Sequence, residues 1–177
     1  MTSEEIAVAM KRVESVLQRR PEAGLHDDAP ASARWDGGLK VLATHANGFQ
    51  LETDMPVELG GQGQNVTPGW LLRAGLASCT ATRIAMAAAT EGIVLSALEL
   101  TASSRSDVRG ILGMSDATGG VVSAGPRDIH LHVRIRAPAV SRERLQLLVE
   151  RSNQCAPVTC AMQEAIPVTL HIEVEDQ

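Results

Sequence analysis

The run from Thr67 to Gly92 constrains this chain more than any other stretch. Thr67 offers a capping hydroxyl and Pro68 suits a first helical position, whose N–H would have no partner anyway. The pattern predicts one helix from Thr67-Pro68 to about Thr90, more than ~30 Å long at ~1.5 Å per residue. Ala74, Gly75, Ala77, Ser78, Ala81, Ala85, Ala87, Ala88 and Ala89 keep its surface shallow. Other backbones can approach such a surface closely on several sides, so the helix is expected at the centre of the fold. Arg73 and Arg83 interrupt its apolar run, which suits a buried helix of a soluble protein better than a membrane span.

Ahead of it, Ile6, Met10, Val13, Val16 and Leu17 fall on one helical face within residues 3–20, with Ser3 as N-cap and Pro21 and Gly24 as the stop. Pro21 to Ser32, rich in Ala, Pro and Asp, reads as a mobile linker. Residues 1–31 are therefore expected to form an N-terminal helical arm and linker, and 32–177 the main domain. Leu39–His45 and Phe49–Asp54 flank Asn47-Gly48, a hairpin signal with positive φ expected at both turn positions and Phe49, Leu51 and Thr53 inward. Gly60-Gly61-Gln62-Gly63 reads as a flexible loop without the Lys-Ser/Thr ending of a phosphate loop.

Beyond the long helix, Leu95–Ser103 reads as a strand, and Arg105–Arg127 as a Gly- and Ser-rich connection with no assignable element. Asp128–Arg136 alternates, with Ile129, Leu131, Val133 and Ile135 inward and His130 and His132 outward. Ser141 caps a helix with Leu145, Leu148, Val149 and Ser152 on one face. A break at Cys155-Ala156-Pro157 precedes a short helix, Val158–Glu164, and a last strand, Pro167–Glu175. Strands grouped around helices make the fold class α+β.

Composition excludes several functions. One Phe, two Trp and no Tyr leave no aromatic platforms for stacked bases and no tyrosine acid. A net charge of −5 offers no basic footprint for nucleic acid or an anionic membrane surface. Glu4, Glu5 and Glu14 argue against a signal peptide at the start, and the expected location is the cytoplasm.

Three cysteines carry the remaining chemistry. Leu72, Leu76, Cys79 and Arg83 share one helical face, so Cys79 has a cation one turn away, which favours an ionised thiol. The alternative is a small buried hydrophobe beside a structural arginine. Cys155 stands just before a proline-started helix, whose unpaired N–H groups attract negative charge; the alternative is a thiol in a turn. Cys160 is either a third redox thiol or an inert core position beside Met162. His130 and His132 fall on the solvent side with no cysteine nearby in sequence, so neither a metal nor a cofactor is expected.

Four stretches resemble one family. Asp54-Met-Pro-Val-Glu-Leu-Gly-Gly, then Thr67-Pro68, then Leu71-Leu-Arg-Ala-Gly-Leu-Ala-Ser-Cys79-Thr-Ala, followed by Cys155-Ala-Pro-Val158, resemble the OsmC/Ohr thiol peroxidases and their relatives over roughly Ser32 to Glu175. The resemblance implies an intertwined homodimer in which curved antiparallel sheets wrap two long central helices. It implies that Cys79 attacks an organic hydroperoxide, that Cys155 resolves the sulfenic acid as a disulfide, and that a dithiol reductant, a lipoyl group or a small thiol, restores the pair. The family's activating arginine comes from the early strand region, where Arg34 and Lys40 are the candidates; Arg83 is a substitute from the helix itself. The chain departs from the family where Ala156 separates Cys155 from Pro157, and where Gly69 and Trp70 stand in place of a glutamate. The missing glutamate and the near absence of aromatics favour a second reading, an apolar-ligand binder with little turnover; a redox sensor is a third, for which no residue speaks specifically.

Overall fold

The computed structural model describes residues 2–164 and 166–175. Helix α1 spans Ser3–Arg19 and is capped by Thr2, one residue ahead of the expected Ser3. Glu5 explains the shift. Its backbone N–H donates to Thr2 Oγ1 at 3.2 Å and its carboxylate accepts the Thr2 N–H at 2.6 Å, whereas Ser3 has an apolar Ile6 at the matching place. The helix lies along the central helix, with Ile6, Met10, Val16 and Leu17 half-buried and Val13 exposed.

Strands β1 (Ala31–Trp35), β2 (Val41–His45) and β3 (Gln50–Thr53) form an antiparallel sheet in that order, with Trp35 opposite Val41 and Val41 opposite Thr53. The β2–β3 turn is not the expected two-residue one. Its loop holds Ala46, Asn47 and Gly48, closed by His45 N–H to Phe49 O and Gly48 N–H to His45 O, both at 2.9 Å. Only Gly48 takes a positive φ, +89°, because the Asn47 side chain instead accepts the Phe49 N–H at 3.0 Å. Phe49, expected inward, sits at this turn and is 63% exposed.

The segment after β3 is a tied turn where a flexible loop was expected. Asp54 is 1% exposed, and its carboxylate accepts the Met55 N–H at 2.7 Å and the Gln62 N–H at 2.9 Å. Burial pushes its pKa up, but the N–H groups of Met55, Gln62, Gln64 and Gly63 outweigh burial and hold it below the ordinary carboxylate value. Gly61 is obligatory, since a Cβ there would lie 1.8 Å from Met55 O. With the folded pKa depressed, the stabilisation by Asp54 is complete above its unfolded pKa of about 3.9 and is lost as pH falls through the folded value. Asp54→Asn is expected to lower the melting temperature by several degrees at neutral pH. It should also flatten the acid-side decline, and thermal melts from neutral to acidic pH check both.

Helix α2 (Pro68–Thr90) forms as expected, with Thr67 Oγ1 accepting the Trp70 N–H at 3.1 Å. Strands β4 (Ala97–Arg105) and β5 (Arg127–Arg136) make a second antiparallel pair with a bulge between Ser103 and Arg105. Between them, the connection that showed no sequence signal contains a one-turn helix α3 (Val108–Ile111). Asp107 caps it, accepting the Arg109 N–H at 3.0 Å, while the Arg109 guanidinium hydrogen-bonds its carboxylate and holds its pKa at about 2. Helix α4 (Arg142–Gln154) is capped by Ser141, and Cys155-Ala156 separates it from α5 (Pro157–Gln163).

Ile84, Ala88, Ile93, Ala137, Leu145 and Leu148 form the core, roofed by Leu98 and Leu100 of β4 and Val133 and Ile135 of β5. Ile129 faces the same way but borders an open cleft and remains 40% exposed. The expected wrapping of α2 is partial. Leu76, Thr80, Ile84, Ala88 and Ala89 are buried, while Ala74, Ala77, Ala81 and Ala85 are only half-covered. The strand expected over Pro167–Glu175 does not form. Val168, Leu170, Ile172 and Val174 alternate as read, but they are 93, 77, 75 and 84% exposed, since no described strand of the chain pairs with them. A lone strand leaves its backbone N–H and C=O groups without ladder partners and therefore has no reason to persist.

Candidate active site

Two threonines join α2 to α5. Thr80 and Thr159, both buried, stand 3.4 Å apart at their hydroxyls, and Thr159 Oγ1 donates to Asn153 Oδ1 at 3.1 Å. A hydroxyl carries one proton, so Thr80 is the donor to Thr159. The tether brings the first turn of α5 against Cys79, the residue before Thr80. Pro157 has no N–H, and the Val158 N–H has no acceptor within its own helix. It donates to Cys79 Sγ at 3.5 Å. The structure thus fixes the Cys79 sulfur, half-buried, against the turn that begins with Cys155.

Cys155 is the exposed C-cap residue of α4. The chain from Cys155 Cα to the Val158 nitrogen spans at most about 10 Å. Both sequence-predicted thiols are therefore neighbours of one short turn, and both are free. Cys160, also free and half-buried, donates its thiol to Gln154 O at 3.3 Å.

The three candidate cations fare differently. Arg34 lies on the exposed β1 with its guanidinium 3.1 Å from the Asp36 carboxylate. Lys40 Nζ is 3.6 Å from Glu52, whose carboxylate also accepts the Asn65 side-chain amide. Both are thus held by carboxylates near them in the first sheet. Arg83 is half-buried on α2 and has no ion-pair partner among the described residues. It stands one helical turn after Cys79 on the same face of α2.

Two clefts flank α2. One, of about 420 Å³, is lined by Leu76, Ile129, Leu131, Asn153, Thr159 and Met162, and so opens onto the α2–α5 contact. The other, of about 330 Å³, lies at the start of α2 among Met55, Pro56, Leu72, Arg73, Val108 and Ile111. Its cation, Arg73, donates to Ser104 Oγ at 3.3 Å. Sequence reasoning missed Arg73 as a site residue; its one signal was a charge on an otherwise apolar helical face. A third cleft, of about 590 Å³ between β5 and α4, has no cysteine in its lining. A half-buried thiol contacted by a backbone N–H, one turn from a cleft whose walls are apolar at Leu76, Ile129, Leu131 and Met162 and polar at Asn153, Thr159 and Gln163, is suited to attack on a small electrophile.

A family model described as OsmC-like protein matches residues 61–171. Comparison with curated protein sequences finds no match. Among solved structures, an OsmC-like protein from Mycoplasma pneumoniae is similar at 18% identity and TM-score 0.65, over 80% of this chain and 91% of that one. An organic hydroperoxide resistance protein from Elizabethkingia anophelis is similar at 23% identity and TM-score 0.59, over 80% and 93%. One from Legionella pneumophila, named OsmC, is similar at 21% identity and TM-score 0.56, over 78% and 91%. At these identities the structural likeness establishes the fold alone. The match of the family model, the α+β architecture and the Cys79-bearing central helix agree: the chain belongs to the OsmC-like protein family.

Proposed function

We propose that this protein is a thiol-dependent peroxidase that reduces organic hydroperoxides. The observation that carries the reading is the Val158 N–H on Cys79 Sγ, which sets the helix thiol beside the Cys155 turn. Cys79 thiolate attacks the terminal oxygen of the O–O bond, and the alkoxide leaves as an alcohol, so the sulfur becomes a sulfenic acid. Cys155 thiol then displaces water from it and forms the disulfide, which protects Cys79 from further oxidation. An external dithiol, a lipoyl group or a small thiol, reduces that disulfide. The names of the solved hydroperoxide resistance proteins support the substrate class, and the cleft of Leu76, Ile129, Leu131 and Met162 suits an apolar R group. We place the protein in the cytoplasm, where such thiols stay reduced.

Arg83 is the activating cation in this account, because Arg34 and Lys40 already face carboxylates. Arg83→Met is expected to slow hydroperoxide reduction roughly 10- to 100-fold, the scale of one lost electrostatic contact to a reacting group. Arg34→Ala should leave the rate within about threefold, the effect expected for an exposed pair. Stopped-flow consumption of cumene hydroperoxide with dihydrolipoamide measures both. A large loss in Arg34→Ala with Arg83→Met unaffected would place the activating charge on β1 instead.

The active assembly is a homodimer. The half-covered small residues of α2 and the exposed alternation at Val168, Leu170, Ile172 and Val174 support it, since both are apolar surfaces that a second copy would cover. A second reading rests on the cleft of Met55, Pro56, Leu72, Val108 and Ile111, which suits an apolar ligand. Thiols that ignore hydroperoxide would favour that binder.

A further inference from the structure

We infer that Cys160 is a third redox residue, which takes the disulfide over from Cys79 by pairing with Cys155. The inference rests on the peroxidase reading above and adds a step to it. The α5 N-cap is Ala156, so Cys155 occupies the position just before the cap and Cys160 the fourth helical position. Side chains at these two positions meet at helix starts, where an apolar pair usually fixes the entry of the chain. Here both members are thiols. The Cys160 side chain leans back along α5 and donates to Gln154 O at 3.3 Å. A planar trans peptide puts that oxygen about 2.8 Å from Cys155 Cα, so Cys160 Sγ lies within about 6 Å of Cys155 Cα. Cys155 sits in the two-residue break between α4 and α5, where a small backbone movement can bring the pair to bonding distance.

The same turn donates the Val158 N–H to Cys79 Sγ, so all three sulfurs border residues 154–160. The sequence of bonds balances. Hydroperoxide oxidises Cys79 to sulfenic acid and departs as alcohol. Cys155 thiol condenses with it, releasing water and forming Cys79–Cys155. Cys160 thiolate then attacks Cys155 Sγ, and the Cys79 thiolate leaves. The product is Cys155–Cys160, formed at the exposed Cys155, with Cys79 free for another hydroperoxide. The net reaction consumes one hydroperoxide and two thiols. An external dithiol reduces the exposed disulfide.

Acid-quenched, alkylated protein can be mapped after one equivalent of cumene hydroperoxide. Trypsin leaves Cys79 in the peptide Ala74–Arg83 and both other cysteines in Ser152–Gln177. In the wild type the expected product is a Ser152–Gln177 peptide lighter by two hydrogens, with Cys79 alkylated. In Cys160→Ser the two peptides should be joined through Cys79–Cys155. Wild-type protein that accumulates the joined peptides, with Cys160 alkylated, overturns the relay and leaves the peroxidase reading intact. Cys79→Ser treated with diamide separates the two ideas further. It should form Cys155–Cys160 without hydroperoxide chemistry, and failure to do so overturns the relay whatever the peroxidase does. Hydroperoxide left unconsumed by the wild type overturns the peroxidase reading, and the relay with it.

Discussion

Cys79→Ser is expected to cut hydroperoxide turnover by at least about 1000-fold, because an un-ionised hydroxyl replaces the thiol proposed to displace oxygen from the O–O bond. The fold should survive the change. Cys79 is only half-buried, and among the described residues its one polar contact is acceptance of the Val158 N–H, which a serine oxygen can also accept. The adjoining Thr80–Thr159–Asn153 tether is untouched. Loss of activity with an unchanged melting temperature and circular dichroism spectrum would therefore be chemical in origin. Cys155→Ser should behave differently. The first turnover remains, but without a resolving thiol Cys79 proceeds to sulfinic acid under excess hydroperoxide. The comparison of the two variants thus separates attack from resolution.

Truncation after Ile166 is expected to convert a dimer into a monomer. Val168, Leu170, Ile172 and Val174 put four aliphatic side chains on one edge of a segment with no sheet partner among the described residues. Burying one such side chain is worth about 1.5–3 kcal/mol, so losing four contacts should weaken association by at least about 1000-fold. Sedimentation of wild-type and truncated protein at micromolar concentration reads this directly. A wild-type protein that sediments as a monomer would remove the dimer from the account.

Much of the fold was legible from local chemistry. Thr67-Pro68 and Gly92 bracket α2 because capping and helix stopping depend on the residues at the ends. The alternation of Leu131, Val133 and Ile135 and the cap at Ser141 were readable for the same reason. What escaped depends on partners remote in sequence or on side chains that compete with backbone geometry. Asn47 looked like a residue for positive φ, but its amide satisfies the turn from an ordinary conformation. Gly60–Gly63 looked free, but Asp54 ties it through backbone donors as far along the chain as Gln62 and Gln64. The last segment carried a clear strand pattern, yet alternation records which face would be buried and not whether a pairing edge exists.

The site divides the same way. Cys79 and Cys155 stood out by residue type and motif. The contacts of Cys79 with Val158 and of Thr80 with Thr159 span 79 residues of sequence and leave no local pattern. Arg34 and Lys40 were candidates by charge, and only the fold shows Asp36 and Glu52 facing them. Cys160 read as either a redox thiol or an inert core position, because nothing in the sequence announces that its sulfur turns back to Gln154.

Titration of the fully reduced protein with cumene hydroperoxide, followed by a thiol count under denaturing conditions, tests the central claim most directly. One equivalent should remove two thiols from the wild type and release one equivalent of alcohol, and Cys79→Ser should lose none. Three thiols persisting in the wild type beside unconsumed hydroperoxide, or equal losses in both proteins, would contradict it.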